Sequence, residues 1–270
     1  MLKLAKRYHI DVYQAVTWNY SIAAILTFIF LKPGLHYING VPFFTCSLLA
    51  LLLPALFIIL AVSVRISGIV RTDIAQRLSL FIPIIASFLL FQDKLTLVKL
   101  LGTVLGFIAI ICTIPWHKKG ENKPMAATGQ VYLLVVFIGM GVIDVLFKQI
   151  AAFKMITYST SLFIVFVLAF VFSLVGLLYQ VLAGKMRFSW PHIFIGWVLG
   201  IANFGNILFY LKAHQALASQ PSTVFSAMNI GVIVAGALTG IIIFKEKLSL
   251  LNKAGIVIAI IAIVVIAGIC

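Results

Sequence analysis

The chain has 270 residues, of which 63% are hydrophobic and only 10% are charged. This composition excludes an ordinary soluble domain, because even apolar-rich soluble folds must expose polar surface to water. Uncharged runs of about 20 residues, each long enough to cross the roughly 30 Å hydrocarbon layer of a bilayer, account for the excess. We therefore predict a multi-pass protein of the plasma membrane, the inner membrane of a bacterium, surrounded by lipid.

The net charge of +14 comes from 20 Lys and Arg residues set against 6 acids. In a soluble protein this excess would favour a nucleic-acid partner. Here the basic residues lie in short loops between apolar runs, where they meet lipid head groups and fix orientation. Arg65, Lys185 and Arg187 lie on the more basic side, which the positive-inside rule places in the cytoplasm, whereas Lys212 lies on the other side. We predict no nucleic-acid partner.

Apolar segments follow one another along the chain, and each is predicted to be a transmembrane helix. Helices are required because lipid offers no partner for a free backbone N–H or C=O group. The predicted fold class is therefore an all-α, polytopic transmembrane helix bundle of about nine spans. The predicted spans are Tyr13–Leu31, Pro42–Val62, Thr72–Phe91, Leu97–Pro115, Gly129–Ile150, Thr157–Leu182, Pro191–Ala213, Ser222–Phe244 and Leu250–Cys270.

The two halves of the chain resemble each other. Residues 91–102 (FQDKLTLVKLLG) align without a gap with residues 244–255 (FKEKLSLLNKAG). Repeats of this kind set the architecture of a chain, because each copy is one structural module. We predict three regions: a first repeat over residues 1–115, a polar linker over 116–128 and a second repeat over 129–270.

The second repeat has five predicted spans, but the first has only four. Residues 1–15 resemble residues 145–159, so that Met1 falls near the counterpart of Leu146 and the first helix of the first repeat is nearly all missing. Either the start of the chain is truncated or misplaced, or the protein is a real nine-helix variant. Five helices per repeat is an odd number, so the repeats run oppositely through the membrane, which is the inverted-repeat plan of many secondary transporters.

These features resemble a known family. The Asp/Glu-Lys-Leu-Thr/Ser turns, the Pro- or Gly-interrupted helix before each turn and the repeat plan are similar to those of the EamA-type transporters of the drug/metabolite transporter superfamily. Residues 71–102 and 206–249 carry most of the likeness, which covers nearly the whole chain. The resemblance implies ten helices around a central cavity, alternating access between two half-bundles, and a substrate among amino acids, nucleotide sugars, drugs and other metabolites. This chain departs from that plan in lacking the first helix.

Two pairs of opposite charges lie within predicted spans, where a charge at the helix centre costs about 2.5–3.5 kcal/mol. Asp144 and Lys148 stand at i and i+4, as do Asp73 and Arg77, so each pair shares a helical face. One interpretation is a local ion pair that lets both residues insert cheaply. The other is a substrate site, in which Arg77 or Lys148 meets an anionic group or Asp144 takes up a proton during exchange.

Two amides occupy matching positions in the repeats. Gln76 precedes the helix-weakening Pro83 by two helical turns, and Asn229 precedes Gly236 in the same way. Interrupted helices at corresponding positions are the best sequence indication of a midplane substrate site. Hydrogen bonding between packed helices is the alternative role for such amides. We predict that Gln76 and Asn229 line a cavity.

Further polar residues lie in the seventh and first predicted spans. Asn203, Asn206 and Tyr210 form a stripe at i, i+3 and i+7, and Trp18, Asn19 and Tyr20 lie together in the first span. Such a stripe lines either a wet cavity or a neighbouring helix, and both roles stay open. The candidate substrate-binding residues are Gln76, Arg77, Asp144, Lys148, Asn203, Asn206, Tyr210 and Asn229.

Glycines at i and i+4 occur three times in the predicted spans. Small residues at this spacing let two helix backbones approach closely in a membrane. We therefore predict tight helix packing at these sites. The pairs are Gly102 and Gly106, Gly196 and Gly200, and Gly236 and Gly240.

The predicted function is a secondary transporter that moves a small-molecule metabolite by alternating access. The sequence has no P-loop motif, so the energy comes from a gradient of H⁺ or another ion or of the substrate, or transport is passive. The 5 histidines are scattered, mostly at loop edges, and no catalytic or metal-binding motif occurs, so we predict neither an enzyme nor a cofactor. A flippase for a lipid-linked or amphipathic substrate is the alternative. Monomer and homodimer are both open.

Overall fold

The computed structural model describes residues 11–34, 40–92, 96–113, 127–153, 158–242 and 250–267. The regular structure within these ranges is helical, and no strand occurs in them. The helices are α1 (Val12–Leu31), α2 (Phe43–Ser67), α3 (Ile69–Leu78), α4 (Phe81–Leu89), α5 (Leu97–Thr113), α6 (Ala127–Ala152), α7 (Tyr158–Leu182), α8 (Pro191–Ala216), α9 (Pro221–Ile242) and α10 (Leu250–Ala267).

The helices lie where the apolar segments predict them. Every predicted span contains a helix, and only the third is divided, into α3 and α4. In the described residues, 6 segments are long and apolar enough to cross a membrane. They are Val12–Leu31, Phe43–Ser67, Arg71–Leu89, Thr128–Ala152, Tyr158–Leu182 and Pro191–Ala216. The prediction of an all-helical chain with membrane-spanning character is confirmed, while the number of spans and the inverted repeat stay predictions.

The chain forms two compact units. Unit 1 consists of Met1–Val62 and Leu146–Gln215, and unit 2 consists of Ser63–Val145 and Ala216–Cys270. Each unit therefore takes segments from both predicted repeats. Helices distant in sequence thus build each core, and a hydropathy profile does not record such pairing.

Aromatic side chains fill the contact between α1 and α7 in unit 1. The rings of Trp18 and Phe170 lie 6.1 Å apart, and those of Tyr20 and Phe166 lie 6.4 Å apart. Both pairs are tilted rather than coplanar, which suits the quadrupoles of the rings. Because Tyr20 and Phe166 are fully buried, this contact belongs to the core of the unit.

Glycines bring α8 against α1. A Cβ atom on Gly196 would stand 2.7 Å from the carbonyl oxygen of Ala15 and 2.7 Å from the Cβ of Trp18. A Cβ atom on Gly200 would overlap the carbonyl oxygen of Asn19. Only glycine admits this approach, because the obstructing atoms include backbone that cannot move aside. The predicted close packing at Gly196 and Gly200 is confirmed.

The core of unit 2 lies between α5, α9 and α10, which pack against one another. Ala109, Ile230, Ala259 and Ala262 form its buried hydrophobic cluster. A Cβ atom on Gly106 would stand 2.8 Å from the Cδ1 of Ile230, so the prediction of close packing also holds at Gly106. Small alanines on α5 and α10 let these helices lie close together.

Hydroxyl groups join the end of α2 to its neighbours in unit 2. Ser63 and Thr72 share a hydrogen bond of 2.9 Å between their hydroxyl oxygens. The hydroxyl of Ser67 donates to the carbonyl oxygen of Gly129 at 3.1 Å. Such bonds satisfy buried polar groups where lipid cannot.

Large apolar side chains lie exposed along the helices. Phe30 is 69% exposed, Phe44 is 81% exposed and Leu182 is 86% exposed. A water-soluble monomer rarely exposes so many large apolar side chains. These side chains are suited to contact lipid tails.

Candidate functional site

The third predicted span tightens at Ser79 and Leu80, where the backbone stays in the right-handed helical region but the α-helical hydrogen-bond pattern is interrupted before Pro83. Pro83 has no N–H, so it cannot donate to the carbonyl oxygen of Ser79 as an ordinary helical residue would. The N–H of Ile82 donates a hydrogen bond to that oxygen instead, at 3.0 Å. The N–H of Leu80 donates to the carbonyl oxygen of Arg77 at 3.3 Å. The chain therefore tightens by one residue between α3 and α4.

α6 packs directly against this break within unit 2. A Cβ atom on Gly141 would stand 2.9 Å from the carbonyl oxygen of Ser79 and 2.6 Å from the Cβ of Ile82. The break is thus held from outside as well as by its own hydrogen bonds. This arrangement positions the last turn of α3, which carries two of the candidate residues.

Those two candidates, Gln76 and Arg77, immediately precede the break. The Nε of Arg77 donates to Oδ2 of Asp73 at 2.7 Å, so the local ion pair considered from the sequence is formed. The Nη1 of Arg77 is buried and has no hydrogen-bond partner among the described residues. Asp73 therefore fixes one edge of the guanidinium while another donor stays available. Gln76 is half-buried, and its carbonyl oxygen accepts from the hydroxyl of Ser79 at 2.6 Å.

The second group of candidates lies in unit 1, between α6 and α8. Lys148 is 2% exposed and interacts electrostatically with the imidazole of His214, which is fully buried. The ring of Tyr210 meets the ring of His214 edge-on at 4.6 Å and that of Phe147 at 5.9 Å. An ammonium group, an imidazole and a phenol thus lie together in apolar surroundings. Such a group is able to bind an anion or to hold a proton.

Only part of the polar stripe on α8 is buried in the protein. The Nδ2 of Asn203 donates to Oδ1 of Asn19 on α1 at 3.2 Å. Asn19 is fully buried, and its Nδ2 has no partner among the described residues. Asn206, one turn further along, is exposed, whereas Tyr210 is buried. The interhelical hydrogen bond is therefore formed at Asn203.

Two further interpretations of the sequence stay predictions: the pairing of Asp144 with Lys148 and the cavity lined by Asn229. Asp144 is half-buried on α6 and belongs to unit 2, whereas Lys148 belongs to unit 1. The side chain of Asn229 and the surroundings of Gly236 and Gly240 lie outside the described residues. The pairing of Gln76 with Asn229 therefore stays a prediction. Among the described residues, no group of His, Cys, Asp and Glu could hold a metal ion.

The sequence interpretation missed His214. The histidines were expected mostly at loop edges, and His214 does lie in the last turn of α8, but its side chain is fully buried. The signal was its spacing, since His214 follows Tyr210 at i+4 on the same helical face. Hydropathy alone gave no reason to prefer the buried position, because a helix end is also a common place for an exposed histidine.

Known proteins resemble the chain. A protein of Haemophilus influenzae, itself called "Uncharacterized protein", is 41% identical over 272 residues, which cover 97% of this chain and 91% of that protein. The chain belongs to the same family as this protein. No protein-family model matches the chain.

The chain also resembles a protein of solved structure. One protein of known crystal structure superposes with a TM-score of 0.74 at 12% sequence identity, over 96% of this chain and 88% of that chain. At so low an identity the likeness establishes a shared fold, and it assigns no activity to this chain.

Proposed function

We propose that the protein is a secondary transporter that moves a small metabolite across the bacterial inner membrane by alternating access. In this proposal it has the plan of the EamA-type transporters of the drug/metabolite transporter superfamily, with about nine spans in two inverted repeats. It is neither an enzyme nor dependent on a cofactor. Its partners are the substrate, the lipid bilayer and a coupling ion such as H⁺.

The interruption between α3 and α4 carries the proposal. The i→i−4 hydrogen-bond ladder is interrupted there, although Ser79 and Leu80 keep right-handed helical dihedral angles. A tightened turn inside a helix often marks a functional hinge, and transporters build midplane substrate sites at such weakened helices. Here the break follows Gln76 and Arg77 directly, and Arg77 keeps a buried donor beyond its bond to Asp73.

Buried ionisable groups in unit 1 support the same function. Lys148 and His214 lie inside candidate spans and are shielded from solvent. Ionisable residues inside a membrane are expensive, and they mark substrate or ion pathways more often than structural positions. Burying the ammonium group of Lys148 costs free energy. That cost is explained if the group binds an anionic group of the substrate in one state of the transport cycle.

The direct test is uptake and efflux in proteoliposomes with a panel of amino acids, nucleotide sugars and other metabolites. Gln76→Ala and Asn229→Ala each remove a neutral hydrogen bond worth about 0.5–1.5 kcal/mol, so each is expected to raise the half-saturating substrate concentration by about 2- to 10-fold. Gln149→Ala is the matched control, because Gln149 is an exposed amide on α6.

Unchanged transport in both variants would remove Gln76 and Asn229 from the site. Movement of lipid-linked substrates without transport of any water-soluble metabolite would favour the flippase. If no compound crosses the membrane at a rate above that of protein-free vesicles, the transporter assignment itself is wrong.

Proton coupling through Asp144 makes a separate prediction. If Asp144 binds and releases a proton in each cycle, an imposed pH gradient drives substrate accumulation in the wild-type protein. Asp144→Asn cannot exchange that proton, so the variant is expected to equilibrate substrate without accumulating it. Flux measured with and without the gradient tests this, and wild-type flux that ignores the gradient discards the proton role.

A further inference from the structure

The loop between α7 and α8, residues 183–190, exposes two basic side chains at one end of unit 1. Both flanking helices are candidate membrane spans, so this loop lies at a membrane surface. Lys185 and Arg187 are exposed, and neither forms an ion pair with any described residue. Two exposed cations at a bilayer surface are placed to meet lipid head groups.

The loop is held in place by a buried amide from α1. The Oε1 of Gln14 accepts from the backbone N–H of Ser189 at 3.0 Å, and its Nε2 donates to the carbonyl oxygen of Arg187 at 2.9 Å. Gln14 is fully buried. A third bond runs from the backbone N–H of Asp11 to Nε2 of His192 at 3.1 Å. The backbone that carries Lys185 and Arg187 is thereby preorganised, which lowers the entropy lost on binding.

Aromatic rings flank the two cations. Phe188 and Trp190 meet edge-on at 5.3 Å, and Trp190 is 71% exposed. The ammonium group of Lys185 lies over the ring of Tyr179 at 5.4 Å from its centroid. Exposed aromatic side chains at the ends of spans are typical of the head-group level of a bilayer. The surface thus combines positive charge with rings suited to the boundary between head groups and acyl chains.

Unit 1 has almost no negative charge to offset Lys185 and Arg187. Asp11 is the sole acid in the sequence of the unit. Its carboxylate accepts from the backbone N–H groups of Tyr13 at 2.9 Å and Gln14 at 3.2 Å, so it caps α1. The carboxylate is therefore engaged by the helix end, where the helix dipole favours it.

We propose that Lys185 and Arg187, with Tyr179, Phe188 and Trp190, bind the head group of an anionic phospholipid. The phosphate accepts hydrogen bonds from the two basic side chains, and the glycerol and upper acyl chain lie against the exposed rings. A lipid fits better than an acidic peptide, because the rings adjoin exposed apolar side chains such as Leu182. This site is separate from the proposed transport pathway and does not depend on it.

The test compares lipid retention in nanodiscs and by native mass spectrometry. The purified full chain is expected to retain phosphatidylglycerol over phosphatidylcholine, and the double substitution Lys185→Gln with Arg187→Gln is expected to lose that preference. Each basic residue near a membrane surface contributes about 1 kcal/mol, so about a fivefold loss is expected for each removed charge. Lys212→Gln is the matched control, because Lys212 is also exposed in unit 1.

Three outcomes overturn the proposal: equal retention of both lipids by the wild-type chain, a preference unchanged by the double substitution, or an equal loss in Lys212→Gln. Two further arms use inorganic phosphate and an acidic peptide without lipid. Saturable binding of either at Lys185 and Arg187, without a preference for phosphatidylglycerol, also contradicts a lipid site.

Discussion

Replacing Gly200 with alanine is expected to lower the thermal stability of the purified protein. The added Cβ would overlap the carbonyl oxygen of Asn19, which is backbone and cannot rotate away. Overpacking of this kind costs typically about 1–3 kcal/mol, and about 2–4 °C of melting temperature accompanies each kcal/mol in a chain of this size. Gly196→Ala is expected to act in the same direction, since it meets Ala15 and Trp18.

The control for this prediction lies on the same helix. A Cβ atom on Gly205 would have no neighbour within 4 Å, so Gly205→Ala is expected to leave the melting temperature unchanged or to raise it slightly. Melting followed by intrinsic fluorescence in one detergent compares the three variants. If Gly200→Ala melts at the wild-type temperature, the close approach of α1 and α8 is contradicted.

Arg77→Gln is expected to weaken transport of an anionic substrate by about 10- to 100-fold in half-saturating concentration. The reason is the loss of a charge-assisted hydrogen bond, worth about 1.5–3 kcal/mol. Arg77→Lys keeps the charge but not the fork of donors, so an intermediate loss is expected. Transport kinetics in proteoliposomes measure all three proteins.

A second arginine separates a site effect from a charge effect. Arg71 lies earlier in α3, and Arg71→Gln removes the same charge from the same helix. It is expected to leave the half-saturating concentration unchanged. Equal losses in both variants would indicate a general electrostatic effect. Unchanged kinetics in Arg77→Gln would leave the Asp73 ion pair as a purely structural feature and would place any anion site elsewhere, with Lys148 as the next candidate.

The helix interruption is an example of what sequence reasoning reaches. Pro83 lacks a donor wherever it lies, so a weakened helix around it follows from covalent chemistry alone. The sequence did not indicate which groups would replace the hydrogen bond that Pro83 cannot make. The backbone N–H of Ile82 donates to the carbonyl oxygen of Ser79, and Gly141 packs against the same oxygen. That second contact joins residues far apart in sequence.

In the candidate site, too, some contacts follow from the sequence and others appear only in the tertiary structure. Spacing at i and i+4 placed Asp73 and Arg77 on one helical face, and the local ion pair, one of the two interpretations left open, is formed. The contact of Tyr210 with Phe147 and the bond of Asn203 to Asn19 needed the neighbouring helices. A stripe along one helix does not specify which residue faces a neighbour, so Asn206 was grouped with residues that turned out to be more buried.

By itself, the sequence determined the helices, their positions and their suitability for lipid, because hydrophobic length and backbone hydrogen bonding are local properties. Only the tertiary structure decided that α1, α7 and α8 share a unit, that His214 is buried beside Lys148, and that Gln14 holds the loop at 183–190. The physical reason is that packing depends on complementary shapes of helices distant along the chain. In apolar segments of nearly uniform hydropathy, small differences such as a missing Cβ select one partner among many.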